Sequence, residues 1–180
     1  MSRKRQTNFF TVCSRCKTSY SCCHGTRPPI SNERKEIVEA YLKKEKIPVT
    51  AAFAREEYVF PRENVEGYCI FHDVKTRKCQ IHAVKPETCV AGPITFDINL
   101  KTAKIEWFVK MDKICPLAGV VYADKELLRK HLESAKREIL RLVNELDGIA
   151  LKNVLGKDEP ETSKIDENNI GKDVLDKLTQ

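Results

Sequence analysis

Eight cysteines in three separated stretches constrain this 180-residue sequence more than any other feature. The first stretch runs from position 13 to 23, the second from 69 to 89, and one further cysteine follows at 115. A chain of this length can bury a hydrophobic core without covalent staples, so folding does not require disulfides. Clustered thiols in such a chain are typical of metal binding. The candidate metal ligands are Cys13, Cys16, Cys22, Cys23, Cys69, Cys79, Cys89 and Cys115.

The cellular compartment bears on how these thiols are interpreted. The basic start of the sequence lacks the apolar stretch of a secretory signal. No run approaches the roughly 18 apolar residues of a membrane-spanning helix. We therefore expect a cytoplasmic protein without membrane association. Because reducing conditions disfavour disulfides there, metal binding is preferred over a disulfide framework.

The formal charge of +6 is distributed unevenly along the chain. Residues 157–180 carry four lysines and seven acidic side chains, a net −3 that leaves +9 on the remainder. Thiolate sites holding two zinc ions would add a charge of about −4, so the basic excess mostly compensates the metal centre. We therefore do not expect nucleic acid as a partner, despite the triplet Arg3-Lys4-Arg5.

The cysteine spacing indicates a metal without identifying it. Cys13 and Cys16 have the two-residue gap at which a tight turn presents two thiolates to one ion. Cys22 and Cys23 are adjacent, and neighbouring side chains diverge in extended backbone. We therefore expect one of them to ligate while the other packs, or each to face a different site. Four thiols satisfy either zinc or a four-iron cluster, so eight supply two full sites, or one site with spare thiols.

Histidines accompany three of the cysteines. His24 follows the adjacent pair, and His72 and His82 each stand three positions after a cysteine. Each is a candidate ligand or a hydrogen-bond partner of a ligand. Because sulfur donors are sufficient, packing or solvent exposure is the default expectation for all three. His131, on a predicted helix away from the cysteines, is expected to have no role in the site.

The hydrophobic pattern predicts helices before the second cysteine stretch. After Pro28-Pro29, Ser31 or Asn32 is expected to cap a helix that ends near Ile47-Pro48. The Ala-rich segment from Thr50 to Tyr58 is predicted to form a second short helix. The second cysteine stretch combines short extended pieces with a turn near positions 76–78.

A β-hairpin and a long helix are predicted farther along the chain. Residues 94–100 and 105–109 alternate between apolar and polar side chains, which is typical of paired strands. Asp124 is positioned to cap a long helix, and Gly148 to end it. The apolar stripe of this helix contains Leu128, Leu132, Ala135, Ile139, Leu142, Val143 and Leu146.

These elements predict the α+β class, a small irregular cysteine-rich metal-binding domain with a β-hairpin and two or three helices. We expect the cysteine-cluster domain to occupy residues 9–120, with the long helix of 121–150 packed on it. Residues 151–180 are polar and are expected to form a disordered tail, with at most an amphipathic turn around 174–178.

The set order of these cysteines resembles the YkgJ-type cysteine-cluster family, a zinc- or iron-chelating domain related to the cysteine cluster of flagellin lysine N-methylases. The resemblance spans residues 13–116. The first four cysteines resemble its opening cluster, and Cys115 resembles its last cysteine. Its second cluster is matched by Cys69-Ile-Phe-His-Asp, Cys79-Gln-Ile-His, Lys85-Pro-Glu-Thr-Cys89 and Pro93.

The chain departs from the family pattern at two places. Five residues separate Cys16 from Cys22, a wider gap than in the shortest form of the opening motif, and Lys85 stands where arginine is commoner. Neither departure removes a thiol. We expect Lys85 to serve a structural ion pair or helix contact about as well as arginine. The resemblance implies metal held by thiolates from three chain segments, with an iron-sulfur cluster preferred over zinc.

Three functions are compatible with this sequence. The first is a metal-binding protein without catalysis of its own, whose surface engages a protein partner. The alternative implied by the family is a protein lysine N-methylase-like enzyme or accessory. No strand followed by a glycine-rich loop and no C-x3-C-x2-C motif supports that alternative, and no catalytic residue is assigned. A zinc-ordered nucleic-acid-binding module is the further alternative.

Overall fold

A computed structural model describes residues 22–157 and 161–180 of this chain. These residues form six helices and three small antiparallel sheets. The α+β class is therefore confirmed, with more helices than the two or three expected. Cys13 and Cys16 lie outside the described residues, so the predictions made for them are not addressed by this structure.

Helix α1 (Asn32–Lys44) begins where the sequence predicts. Ser31 is its N-cap, and the Ser31 hydroxyl accepts a hydrogen bond from the Arg34 N–H at 3.0 Å. This bond satisfies one of the backbone donors left open at a helix start. The helix buries Val38 and Leu42 and ends shortly before the predicted stop at positions 47–48.

The segment predicted as a second helix is a β-hairpin, so that prediction was wrong. Strand β1 (Phe53–Arg55) pairs antiparallel with β2 (Val59–Pro61). The hairpin buries the aromatic side chains of Tyr58 and Phe60. Helix propensity is a weak preference, and the burial of these aromatics in paired strands overrides the Ala-rich composition.

The second cysteine stretch contains a two-stranded ribbon and a short helix. Strand β3 (His72–Asp73) pairs with β4 (Lys78–Cys79). Between them, Oδ1 of Asp73 accepts the N–H groups of Lys75 and Thr76 at 2.9 and 3.1 Å, an Asx turn that confirms the predicted turn. Helix α2 (Glu87–Ala91) follows.

The predicted hairpin is confirmed and belongs to a larger sheet. Strands β5 (Ile94–Asn99) and β6 (Lys104–Lys110) pair antiparallel, and β7 (Thr162–Asn169) pairs with the other edge of β6. The strand order is therefore β5-β6-β7. Trp107 on β6 is fully buried.

Helices pack beside this sheet. Helix α3 (Pro116–Tyr122) is followed by α4 (Lys125–Glu145) and α5 (Gly148–Leu155). The cap of α4 is confirmed, because Oδ1 of Asp124 accepts the N–H groups of Glu126 and Leu127 at 3.0 and 3.1 Å. Gly148 was expected to end α4, but it is the first residue of α5. None of the helices in the described part is long and apolar enough to cross a membrane.

The expectation of a disordered C-terminal tail is wrong for residues 161–180. Strand β7 joins the sheet, and helix α6 (Lys172–Thr179) buries Val174 and Leu178. The Lys177 ammonium also donates to the carbonyls of Asn144 and Leu146 at the end of α4, at 2.6 and 3.1 Å. The polar composition indicated disorder, but long-range strand pairing and two buried apolar side chains order this segment.

Two apolar clusters organise the domain. The small core consists of Ile30, Val38, Leu42, Ala52, Phe71 and Ile81. The large core consists of Tyr58, Phe60, Ala91, Ile94, Ile98, Ile105, Trp107, Val109, Ala118, Ala135, Ile139, Leu142, Val143, Leu146, Ala150, Leu151, Val174 and Leu178. The apolar stripe predicted on α4 supplies five of the large-core residues. The predicted boundaries at positions 120 and 150 stay predictions.

Candidate metal centre

The end of the first cysteine stretch lies against the start of the second. The Cys69 N–H donates to the Cys23 carbonyl at 2.8 Å, and the Gly25 N–H donates to the Gly67 carbonyl at 2.9 Å. His24, between these two contacts, pairs with Tyr68. Gly25 and Gly67 both have positive φ, 63° and 80°, which glycine adopts without strain. Backbone pairing thus brings two distant cysteine stretches together.

The second stretch repeats one local turn. The His72 N–H donates to the Cys69 carbonyl at 2.8 Å, and the His82 N–H donates to the Cys79 carbonyl at 3.2 Å. In each turn the residue before the histidine, Phe71 or Ile81, is buried in the small core. The two turns lie side by side because His72 pairs with Cys79 across the β3–β4 ribbon. Cys69 and Cys79, ten positions apart, therefore have the same local backbone geometry.

The same turns supply hydrogen bonds to sulfur. The backbone N–H of Phe71 bonds the Cys69 thiol, and that of Ile81 bonds the Cys79 thiol, which in each case favours the thiolate. Burial acts more strongly in the opposite direction, raising the pKa of Cys69 to about 11 and raising that of Cys79. These thiols therefore hold their protons until a cation replaces them, and metal binding here releases protons.

Five thiols from the two stretches share one environment. Charges on Cys22 and Cys79 raise the pKa of Cys69, and charges on Cys22, Cys69 and Cys79 add to burial in raising the pKa of Cys89. The pKa of Cys23 is raised by a hydrogen bond to Cys22, by burial, and by the charges of Cys22, Cys89 and Cys79. Such mutual effects place the thiols of Cys22, Cys23, Cys69, Cys79 and Cys89 within electrostatic range of one another.

The adjacent pair is arranged differently from the expectation. The Cys23 thiol hydrogen-bonds the Cys22 sulfur, which lowers the pKa of Cys22 and raises that of Cys23. Divergent side chains were expected from an extended backbone, but residues 22 and 23 form a turn. Because of this turn the two thiols contact each other, and which of them ligates stays a prediction.

Lys85 is a functional candidate in addition to the cysteines. Its positive charge acts against burial at Cys22, Cys79 and Cys89, favouring a lower pKa for each thiol, and it stands one residue before Pro86 and α2. A cation that acts on three thiols partly offsets the negative charge of a thiolate site. The signal was available in the motif Lys85-Pro-Glu-Thr-Cys89, where lysine replaces the commoner arginine.

The histidines beside the cysteines make aromatic contacts. The His72 ring stacks on Tyr68 with centroids 4.9 Å apart, and His24 meets the same Tyr68 edge-on at 4.7 Å. Nδ1 of His72 is buried without a hydrogen-bond partner among residues 22–157 and 161–180. Burial lowers the pKa of both His72 and His82, which keeps these rings neutral near pH 7. Ligation by any of them stays a prediction.

Cys115 lies at the N-cap of α3 and packs against the large core. Its place among the ligands therefore remains a prediction. Within the described ranges, no group of three or more His, Cys, Asp or Glu side chains is arranged to enclose a metal ion. The structure thus pairs the two cysteine stretches through their backbones, while the eight-cysteine ligand set stays a prediction.

Comparison with known proteins identifies the family. The family "CxxCxxCC: Putative zinc- or iron-chelating domain" matches residues 12–116, a range that contains all eight cysteines and more than half of the chain. The chain belongs to this zinc- or iron-chelating family. The predicted resemblance is therefore confirmed, and metal binding by a cysteine cluster is the function that membership supports.

The chain is similar to the uncharacterized protein MJ0661 of Methanocaldococcus jannaschii. The two are 28% identical over 96 residues, which cover 49% of this chain and 50% of the relative. The chain thus matches about half the length of that relative. No solved structure matches the chain significantly.

The donors present suit the metals that the family is described as chelating. Thiolate sulfur is a preferred ligand of zinc and the usual ligand of iron-sulfur clusters. The backbone N–H groups at Phe71 and Ile81 and the cation of Lys85 stabilise thiolates in the same place. The chemistry of this donor set therefore fits a zinc- or iron-chelating site.

Proposed function

We propose that this chelating domain holds an iron-sulfur cluster on thiolates from its separate cysteine segments, with zinc as the alternative occupant. The observation that carries this proposal is the backbone pairing of Cys23 with Cys69 and of His72 with Cys79, which sets cysteines of both stretches side by side. Cys22 and Cys89 act electrostatically on these thiols. At least four of these thiols would bind, as a four-iron cluster or a zinc ion requires. The cluster would supply electron-transfer or structural chemistry when bound.

The donor set of the proposed site is taken to be sulfur alone, because His24 and His72 are engaged in aromatic contacts with Tyr68. An all-sulfur donor set accommodates either occupant, whereas the family resemblance favours the iron-sulfur cluster. Peptide N–H groups directed at sulfur, as at Cys69 and Cys79, are one means by which proteins tune such clusters.

The position of the site suggests a structural role for the bound metal. Cys69 and Cys79 pack against the small core, whereas α2, which carries Cys89, inserts Ala91 into the large core. A metal bound to these cysteines would link the two cores. Because the ligands must assemble for binding, the free energy of metal binding would then contribute directly to the free energy of folding.

Anaerobic purification with metal and sulfide analysis tests this proposal. Brown protein that contains iron and acid-labile sulfide supports the cluster. Colourless protein with stoichiometric zinc overturns the cluster and retains the thiolate site. Cys89→Ser should remove most of the bound metal, whereas Thr88→Val, a near-isosteric change on the same helix, should retain it. Equal metal content in both variants would remove Cys89 from the ligand set.

A further inference from the structure

Helix α2 is too short to fix its own orientation. It has five residues, with Cys89 at its centre, and its N-cap, Pro86, provides no side-chain hydrogen bond. Helices well below about 12 residues are marginal in water, because nucleation costs more than a few hydrogen bonds return. Contacts from other elements must therefore set the direction in which Cys89 points.

The first contact holds the beginning of α2. Glu87 is fully buried, and its carboxylate accepts hydrogen bonds from the hydroxyl and the N–H of Ser31, the N-cap of α1. The guanidinium of Arg34 lies 3.8 Å from the same carboxylate and also pairs with Glu138 on α4. Glu87 thus ties the start of α2 to α1 and, through Arg34, to α4.

The second contact holds the end of α2. Nε2 of His131, on α4, lies 3.0 Å from the Ala91 carbonyl and 3.1 Å from the Gly92 carbonyl. Both partners are acceptors, so Nε2 carries the proton and donates to both. Carbonyls at a helix C-terminus lack partners within the helix, and His131 supplies one. His131, predicted on a helix away from the cysteines, thus contacts the end of the helix that carries Cys89.

Burying a carboxylate such as Glu87 is a costly way to stabilise a core. Apolar side chains of similar volume often serve stability equally well or better than a buried ion pair. The directional hydrogen bonds from Ser31 to Glu87 instead define the orientation of α2. The same holds for His131, whose single donor reaches two carbonyls in one geometry.

We propose that Glu87 and His131 are positioning residues that hold α2 at both ends and thereby present the Cys89 thiol to the metal. This inference rests on the proposed metal-binding function, and it assigns roles to two residues that are not themselves ligands. Cys22 and Cys23 would then bind beside a thiol that is already in place.

One test needs no metal. In chelator-treated protein, the alkylation rate of Cys89 by iodoacetamide is followed by peptide mass spectrometry, with Cys115 as the internal reference. Glu87→Gln and His131→Phe should each accelerate labelling of Cys89 about tenfold or more by favouring local opening of α2. Glu126→Gln, which removes an exposed ion pair with Arg129 within α4, should change the rate less than about twofold. Unchanged Cys89 labelling in both test variants overturns the proposal.

The second test asks whether Glu87 acts through Cys89. Zn²⁺ affinity is measured by competition with a chromophoric chelator, because zinc binds the same thiolates whichever metal is native. Glu87→Gln should weaken binding about 10- to 100-fold, the usual effect of losing a residue that supports a ligand. In the Cys89→Ser background, the same change should cost less than about twofold. Equal losses in both backgrounds would overturn the positioning role.

Two controls separate the possible failures. His131→Gln keeps an N–H donor at this position, so it should label and bind Zn²⁺ more like the wild type than His131→Phe does. If Gln and Phe behave alike, the hydrogen bonds to Ala91 and Gly92 are not the cause. A wild-type protein that binds neither zinc nor iron would contradict the proposed function. The labelling experiment would still show whether Glu87 and His131 hold α2.

Discussion

The indole N–H of Trp107 donates a hydrogen bond to Oδ1 of Asn168 at 2.8 Å. Trp107 is fully buried on β6, and Asn168 lies on β7. The polar group of the one tryptophan in the chain is thus satisfied by the C-terminal segment. Strand β7 is therefore an integral part of the large core.

Leu178→Ala should lower the free energy of unfolding by about 2–5 kcal/mol, because Leu178 is a buried large-core residue whose truncation leaves a cavity. Urea unfolding followed by Trp107 fluorescence measures the change. Leu175→Ala, on the same helix at a partly exposed position, should cost less. Equal and negligible effects of the two substitutions would mean that α6 does not dock on the large core.

Gly148→Ala should destabilise the junction of α5 and α6. A Cβ atom at Gly148 would lie far inside van der Waals contact of the Lys177 backbone carbonyl, so α6 must shift. We expect a loss of about 1–3 kcal/mol in thermal or urea unfolding. Gly92→Ala is the matched control, since the nearest atoms to its added Cβ are 3.7 and 3.8 Å away. A loss no larger than that of the control would contradict the close approach of α6.

Metal removal should destabilise the whole domain. A ligand that binds only the folded state stabilises it by about 2.7 kcal/mol at a free concentration one hundred times its Kd. The melting temperature should therefore fall on chelation and rise with free metal. Cys79→Ser should abolish most of this dependence, because Cys79 lies among the five clustered thiols. A melting temperature indifferent to chelator in the wild type would contradict the structural role of the metal.

Acid should destabilise the protein partly through His131. Burial lowers the pKa of His131 in the folded state, with the charge of Lys85 acting in the same direction, whereas the unfolded chain titrates near about 6.5. Below that pH His131 is protonated in the unfolded chain but stays neutral in the folded protein. The contribution of His131 is therefore complete above pH about 6.5 and declines as the pH falls toward the lowered folded value.

His131→Gln isolates this contribution. The urea midpoint of the wild type should fall more steeply than that of the variant between pH 7.5 and 5.5. Competition of protons with metal for the thiols enters both proteins, so the difference in slope reports on residue 131. Parallel slopes would show that His131 is not held neutral by the fold.

Local signals in the sequence predicted the elements whose determinants are local. The caps at Ser31 and Asp124 and the alternation in residues 94–109 lie within the elements that they define, and all were found as predicted. The order of the cysteines likewise predicted the family, because the motif is carried by residue identity and spacing.

What the sequence could not predict depends on partners far along the chain. Strand β7 contains a single large apolar residue, Ile165, and forms because its backbone pairs with β6. The role of His131 follows from packing of α4 on α2, forty positions away from Ala91. The hydrogen bond between Cys22 and Cys23 depends on a local turn that composition does not encode.

The placement of β7 also bears on solubility. Without it, the outer edge of β6 would present a row of unpaired N–H and C=O groups, the kind of edge on which other chains polymerise. In its place β7 offers an edge bearing Lys164, Asp166 and Glu167, whose charges disfavour strand addition by another molecule. A chain cut before position 161 would therefore be prone to self-association even where it still folds.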